Sequence, residues 1–172
     1  MSDFINLDAA GLKKQQSALV TSAGAADQNR IVKTNAAGVL DSTLFPAGIG
    51  DESKGLTASE ALSAGDFVNI FNDPIDGPRV RRANATARGT EAVGFVSDNF
   101  AAGELATVFF EGENTALTGL VAGTTLFLSA DTPGGATDTA PNAVGNVVQV
   151  IGKACSATSA IFKEDDGVCI GT

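Results

Sequence analysis

The chain has 172 residues, room for one domain of ordinary size with an appendage, and a formal net charge of −9. It contains no histidine, tryptophan or tyrosine, so every site that needs imidazole as acid, base or metal ligand is excluded. The acidity makes nucleic acid an unsuitable partner, because phosphate binding requires a basic surface.

Residues 1–50 differ from the rest. Lys13, Lys14, Arg30 and Lys33 balance Asp3, Asp8, Asp27 and Asp41, so the excess acid lies in residues 51–172, with 7 basic against 16 acidic residues. The start, Met1-Ser2-Asp3-Phe4, lacks the basic and apolar regions of a secretory signal, and no apolar run approaches bilayer length. The expectation is assembly in a cytoplasm, with no membrane partner. A short amphipathic helix is predicted near Asp8 to Val20, with Leu12, Leu19 and Val20 on one face and Gly11 against it. Beyond Gly24 the pattern is extended through Arg30-Ile31-Val32-Lys33, turns at Ala36-Ala37-Gly38, and resumes at Val39-Leu40. Pro46 and two glycines then stop it. So few hydrophobes cannot offset the ordering entropy of fifty residues, so this segment lies on another surface or stays mobile.

From Leu56 the strand signals become regular. Three times a small-Ala-Gly corner opens an apolar run: Ser63-Ala64-Gly65 before Phe67–Phe71, Ala101-Ala102-Gly103 before Leu105–Phe110, and Val121-Ala122-Gly123 before Thr125–Leu128. Further strands are predicted at Gly55–Thr57, Arg79–Ala83, Val93–Ser97, Val144–Gly152, Ser159–Lys163 and Val168–Ile170. Gly94 marks a bulge or a close backbone approach. Asn72–Pro78 and Gly112-Glu113-Asn114 read as turns. The Gly-marked strands at 93–97 and 151–156, each followed by a partner, read as repeated hairpins within one barrel. Turn signals about ten residues apart describe an all-β fold, a small antiparallel β-barrel or sandwich (jelly-roll-like) over residues 51–172, with an extended N-terminal arm over residues 1–50.

The chemistry-bearing residues offer little. Asp73 and Asp76 flank a proline turn, and Asp165-Asp166-Gly167 is another; both read as turn chemistry, with a weak calcium loop at 164–167 as the sharper alternative. Pro133-Gly134-Gly135 and Gly48-Ile49-Gly50 lack the Lys and Ser/Thr of a phosphate loop. Cys155 and Cys169 read as small buried strand residues, with an inter-strand bridge as the alternative. No catalytic, cofactor-binding or metal residues are assigned. The basic cluster Arg79, Arg81 and Arg82, with Arg88 nearby, reads either as a solvated edge that resists aggregation or as an intersubunit contact to acidic neighbours.

Two stretches carry a resemblance. Residues 31–46, from Ile31-Val32-Lys33 through Gly38-Val39-Leu40-Asp41-Ser42 to Leu44-Phe45-Pro46, resemble the connector of bacteriophage tail- and head-fibre proteins. The strands Gly65-Asp66-Phe67-Val68, Gly94-Phe95-Val96 and Gly123-Thr124-Thr125-Leu126-Phe127-Leu128-Ser129 resemble the small β-barrels of phage capsid decoration (cement) and head-fibre proteins. The resemblance implies a non-enzymatic virion protein, a homotrimer on the outer surface of a phage head, with the major capsid protein as its partner. Its N-terminal arm would add strands to neighbouring subunits through Ile31, Val32, Leu40, Leu44 and Phe45. A tail-fibre or baseplate component for host adhesion is the second expectation, and a carbohydrate-binding β-module the third. Sugar sites usually stack rings on Trp or Tyr, and the chain has neither.

Overall fold

A computed structural model of the chain describes residues 3–7, 13–23, 25–27, 30–36, 38–41, 44 and 53–171. The chain divides into two compact units, Met1–Gly50 and Asp51–Thr172.

In the first unit β1 (Asp3–Leu7) pairs antiparallel with β2 (Lys13–Ser17), from Asp3 opposite Ser17 to Leu7 opposite Lys13. The predicted helix at 8–20 is therefore corrected to a strand at 13–17, and residues 8–12 lie outside the described residues. Phe4 and Ile5 favour a strand, and pairing with 3–7 takes up the main-chain groups of 13–17 that a helix would use internally. A single 3-10 turn follows at Ala25–Asp27, where the Asp27 carboxylate accepts the Ala23 N–H at 2.6 Å. Leu19 and Val32 form an isolated parallel bridge: Leu19 N–H donates to the Ile31 carbonyl and Lys33 N–H to the Leu19 carbonyl.

The second unit is all-β. Strands β3 (Ser53–Ala58), β4 (Phe67–Asp73), β5 (Gly77–Arg82), β6 (Gly94–Phe95) and β7 (Leu105–Phe109) close into a barrel in the order β3-β5-β4-β6-β7. Every pair is antiparallel except the seam, where Thr57 and Ala58 of β3 run parallel to Arg79 and Val80 of β5. Strands β8 (Gly112–Asn114), β9 (Thr125–Leu128), β10 (Ala136–Thr137), β12 (Val150–Ala154) and β13 (Ala160–Phe162) form a sheet in the order β10-β9-β12-β13-β8. The strand pair β11 (Val147–Val148) and β14 (Val168–Cys169) stands beside them. The second predicted hairpin, β12–β13, thus lies in this sheet rather than within the barrel. Gly112–Asn114, predicted as a turn, is its edge strand.

The cores follow from side-chain alternation. Val68 and Val96 point into the barrel with Leu56, Leu62, Val80 and Val108. Their neighbours Phe67 and Phe95 point the other way, onto Leu126, Leu128, Ile151 and Phe162 of the sheet. A barrel wall covered on both faces explains why these runs are continuously apolar rather than alternating. Phenylalanine supplies the bulk between the layers: Phe162 meets Phe67 at 5.8 Å and Phe95 edge-on at 5.9 Å, while Phe109 stacks on Phe95 at 5.5 Å. Small alanines fill the rest of that layer (Ala83, Ala85, Ala92, Ala154 and Ala160).

The three small-Ala-Gly corners share one geometry. Each places glycine at positive φ (Gly65 at 93°, Gly103 at 88°, Gly123 at 87°), and the next N–H returns to the carbonyl three residues back. That is a type II turn, which calls for glycine at its third position. Ala143-Val144-Gly145-Asn146 is a fourth copy, unmarked in the sequence reading. In two corners an acidic side chain completes the turn: Asp66 accepts the Ser63 N–H at 2.8 Å and Glu104 accepts the Ala101 N–H at 2.7 Å. Gly94 is the close approach expected of it, since a Cβ there would lie 2.5 Å from the Phe109 carbonyl oxygen.

Candidate functional site

The three arginines of β5 are all engaged within their own chain. Arg79 pairs with Asp76 at 2.9 Å across the β4–β5 turn. Arg81 donates to Asn69 at 3.0 Å and to the Gly89 carbonyl at 3.1 Å, with its guanidinium 4.6 Å above the Phe71 ring. Arg82 lies on the face of Val80 and reaches Glu60, which accepts both its backbone N–H and its Nη2 at 2.9 Å. The alternation read from the sequence holds here, with Phe71, Arg79 and Arg81 sharing the outer face opposite Val80.

Two carboxyls near Arg82 are shifted in opposite directions. Burial alone pushes Glu60 up, but the hydrogen bonds and charge of Arg82 outweigh it and hold the group below its usual range. Arg82 rises in turn, chiefly through its hydrogen bond to Glu60. Asp66 is raised by burial, which the Ser63 N–H and Arg82 only partly offset. The two have opposite linkage to stability. The lowered Glu60 stabilises the fold above its ordinary 4.5, and that contribution is lost as pH falls through its folded value. The pair is over a third exposed, so the contribution is below about 1 kcal/mol. The raised Asp66 penalises the fold once ionised; the penalty is absent below its ordinary 3.8 and complete above its raised value. Asp66→Asn is therefore expected to gain stability over wild type at pH 7 relative to pH 3.5. Urea unfolding at both pH values checks this, and a pH-independent difference would contradict it.

The remaining sequence candidates serve the scaffold. Asp73 accepts the N–H groups of Ile75 and Asp76, which closes the turn and lowers its carboxyl. The second acidic segment, Asp165-Asp166-Gly167, read from the sequence as a turn, forms none: the Asp165 carbonyl accepts from the Gln149 side chain, and Asp165 Oδ1 accepts the Asp166 N–H. Among the described residues, no three His, Cys, Asp or Glu side chains converge as a metal site. Both cysteines are free, and the expectation that both are buried is corrected: Cys155 is exposed and Cys169 half-buried. Ala154 faces the core at the end of β12, so alternation turns Cys155 outward.

In the first unit, Ile31 is 53% exposed, Val32 46% and Leu40 44%, while Leu44 is half-buried. Phe45 lies outside the described residues. Val39, which the sequence reading left out of the set, is 56% exposed. Its position directly after Gly38 was the available signal, because Gly38 at φ 79° closes a turn in which Asn35 and Val39 are hydrogen-bonded. Four apolar side chains thus reach solvent from residues 31–40, and the bridge to Leu19 is the strand pairing described for that stretch. Among the described residues no helix is long and apolar enough to cross a membrane. No family model matches the chain, and no curated protein matches it significantly.

Proposed function

We propose that this chain is a non-enzymatic virion protein, a capsid decoration or cement protein that seats as a homotrimer on the outer surface of a phage head. In this reading the major capsid protein is its partner, and the N-terminal unit is the anchor. The observation that carries it is the exposure of Ile31, Val32, Val39 and Leu40 on a stretch with little strand pairing of its own. Such a stretch can present the edge of Val32 that faces away from Leu19 to a neighbour's sheet, with apolar side chains to hold it there. Many copies binding together convert weak contacts into firm retention. The acidic second unit, with short strands held by repeated type II corners, supplies a rigid, soluble body.

The test is co-sedimentation with undecorated heads of the phage that encodes the chain. Full-length protein is expected to pellet with heads, and Ile31→Asp with Leu40→Asp to lose at least about tenfold in affinity, as burying two unpaired charges implies. The melting of the second unit should be unchanged. Protein that ignores heads but pellets with tails would move the assignment to a tail-fibre or baseplate component.

A further inference from the structure

The β4–β5 turn carries an exposed apolar tip between two carboxylates, and the outer face of the β12–β13 hairpin carries a groove with two lysines. At the turn tip Ile75 is 90% exposed, the most exposed large hydrophobe among the described residues. It is held there rigidly. Asp73 Oδ1 accepts from Ile75 N–H at 2.9 Å and Asp76 N–H at 3.1 Å, Pro74 fixes the approach, and the Asp76–Arg79 pair ties the far side. The result is an apolar knob flanked by two carboxylates.

A groove of about 460 Å³ lies over the outer face of β9, β12 and β13. Its floor is Thr125, Val150, Gly152 and Ile161, with Lys153 and Lys163 on its rim. Lys153 stands directly opposite Ile161, and strand alternation carries Lys163 to the same face. Gly152 leaves a notch because it sits at a β-bulge with φ 141°, where a side chain would strike the Ile161 carbonyl. Glu164 and Asp165 close the other end, so the groove is formally neutral on a strongly acidic molecule. Neither lysine has an ion-pair partner; the salt bridges among the described residues are Asp76–Arg79 and Glu60–Arg82.

We infer that the Ile75 tip of one copy seats in the Gly152 groove of the next, with Asp73 and Asp76 meeting Lys153 and Lys163. Knob and groove are different surfaces, so the contact is heterologous and repeats from copy to copy until it closes into a ring. The pre-set turn lowers the ordering cost of docking, and the lysines exclude an unmatched partner. This inference rests on the oligomer of the proposed function and specifies how it is made.

The experiment is light scattering of the full chain, of Ile75→Glu, of the double variant Lys153→Glu/Lys163→Glu, and of the two variants mixed. All three positions are exposed, so the fold does not depend on them. Wild type is expected to be a ring, and each variant to fall to single-chain mass, about threefold lower for a trimer. The equimolar mixture should form a dimer and stop there, because one intact knob meets one intact groove and both remaining ends are disabled. An oligomer that persists in Ile75→Glu, a mixture that stays monomeric, or a monomeric wild type would each overturn the contact. A monomeric wild type would also remove the trimer from the proposed function, whereas the other outcomes overturn this contact alone; attachment to heads is scored separately, by binding of wild-type protein.

Discussion

Replacing Gly152 with alanine is expected to destabilise the second unit by at least about 3 kcal/mol, lowering its melting temperature by roughly 10 °C or more. Gly152 adopts φ 141°, a conformation that L side chains rarely enter. The space is also closed, since an added Cβ would run into the Ile161 carbonyl with Phe162 behind it. Those atoms belong to β13, the neighbour of β12, so relief requires parting two strands. The register between β12 and β9 shifts between Val150 and Gly152, and this bulge turns Ile151 into the core while Val150 and Lys153 stay outward. Alanine therefore strains the backbone at the point that sets the phase of the strand. Gly77→Ala makes the control: φ there is also positive, at 78°, but an added Cβ meets nothing. It should cost only about 1 kcal/mol. Equal melting losses in the two variants would refute the steric argument.

Gln149→Leu is expected to cost about 3–5 kcal/mol despite its apolar surroundings, because it strands buried backbone groups. The Gln149 side chain is 1% exposed between β11 and β12. Its Oε1 accepts the Ala92 N–H at 2.8 Å, and its Nε2 donates to the Ala92 carbonyl at 2.8 Å and the Asp165 carbonyl at 3.0 Å. Ala92 is itself fully buried, so its two groups have no water to turn to. One side chain thus stands in for a missing strand neighbour and joins the segment before β6 to the segment before β14. Gln149→Glu should also destabilise at neutral pH, since a carboxylate accepts from Ala92 N–H but opposes both carbonyls. Hydrogen exchange reads the effect locally. The Ala92 amide should lose protection in Gln149→Leu under conditions where Val68 in the barrel keeps its own. Retained protection at Ala92 would show that the clamp contributes nothing.

What the sequence disclosed is what local stereochemistry controls. The corners at Gly65, Gly103 and Gly123 were readable because type II geometry calls for glycine at one place, and the strands after them followed from apolar runs. Gly94 was readable for a related reason, the backbone lying too near for a side chain. Features set by distant pairing were not. Nothing in Gly112-Glu113-Asn114 distinguishes it from a turn; it is a strand because β13 lies beside it, with Asn114 buried and donating to the Gly65 carbonyl. The parallel seam between β3 and β5 depends on how the barrel closes, which no local pattern encodes. Across 8–20 a helical face was read from Leu12, Leu19 and Val20, whereas the backbone of 13–17 pairs with 3–7. Gln149 lay in plain view as the one polar residue among 147–151, a signal that a buried amide was needed there. The anchors Ile31, Val32 and Leu40 were named from composition and resemblance, and all three side chains are exposed.

The most direct test of the cement reading is hydrogen exchange across residues 30–41 of full-length protein, free and bound at saturation to undecorated heads. Strand addition predicts that the amides of Val32, on the edge away from Leu19, and of Leu40 slow by at least about a hundredfold on binding, as new main-chain hydrogen bonds form. Amides within β4 and β5 should exchange as before. Unchanged exchange across 30–41 on saturated heads, or no binding to heads, would contradict the account.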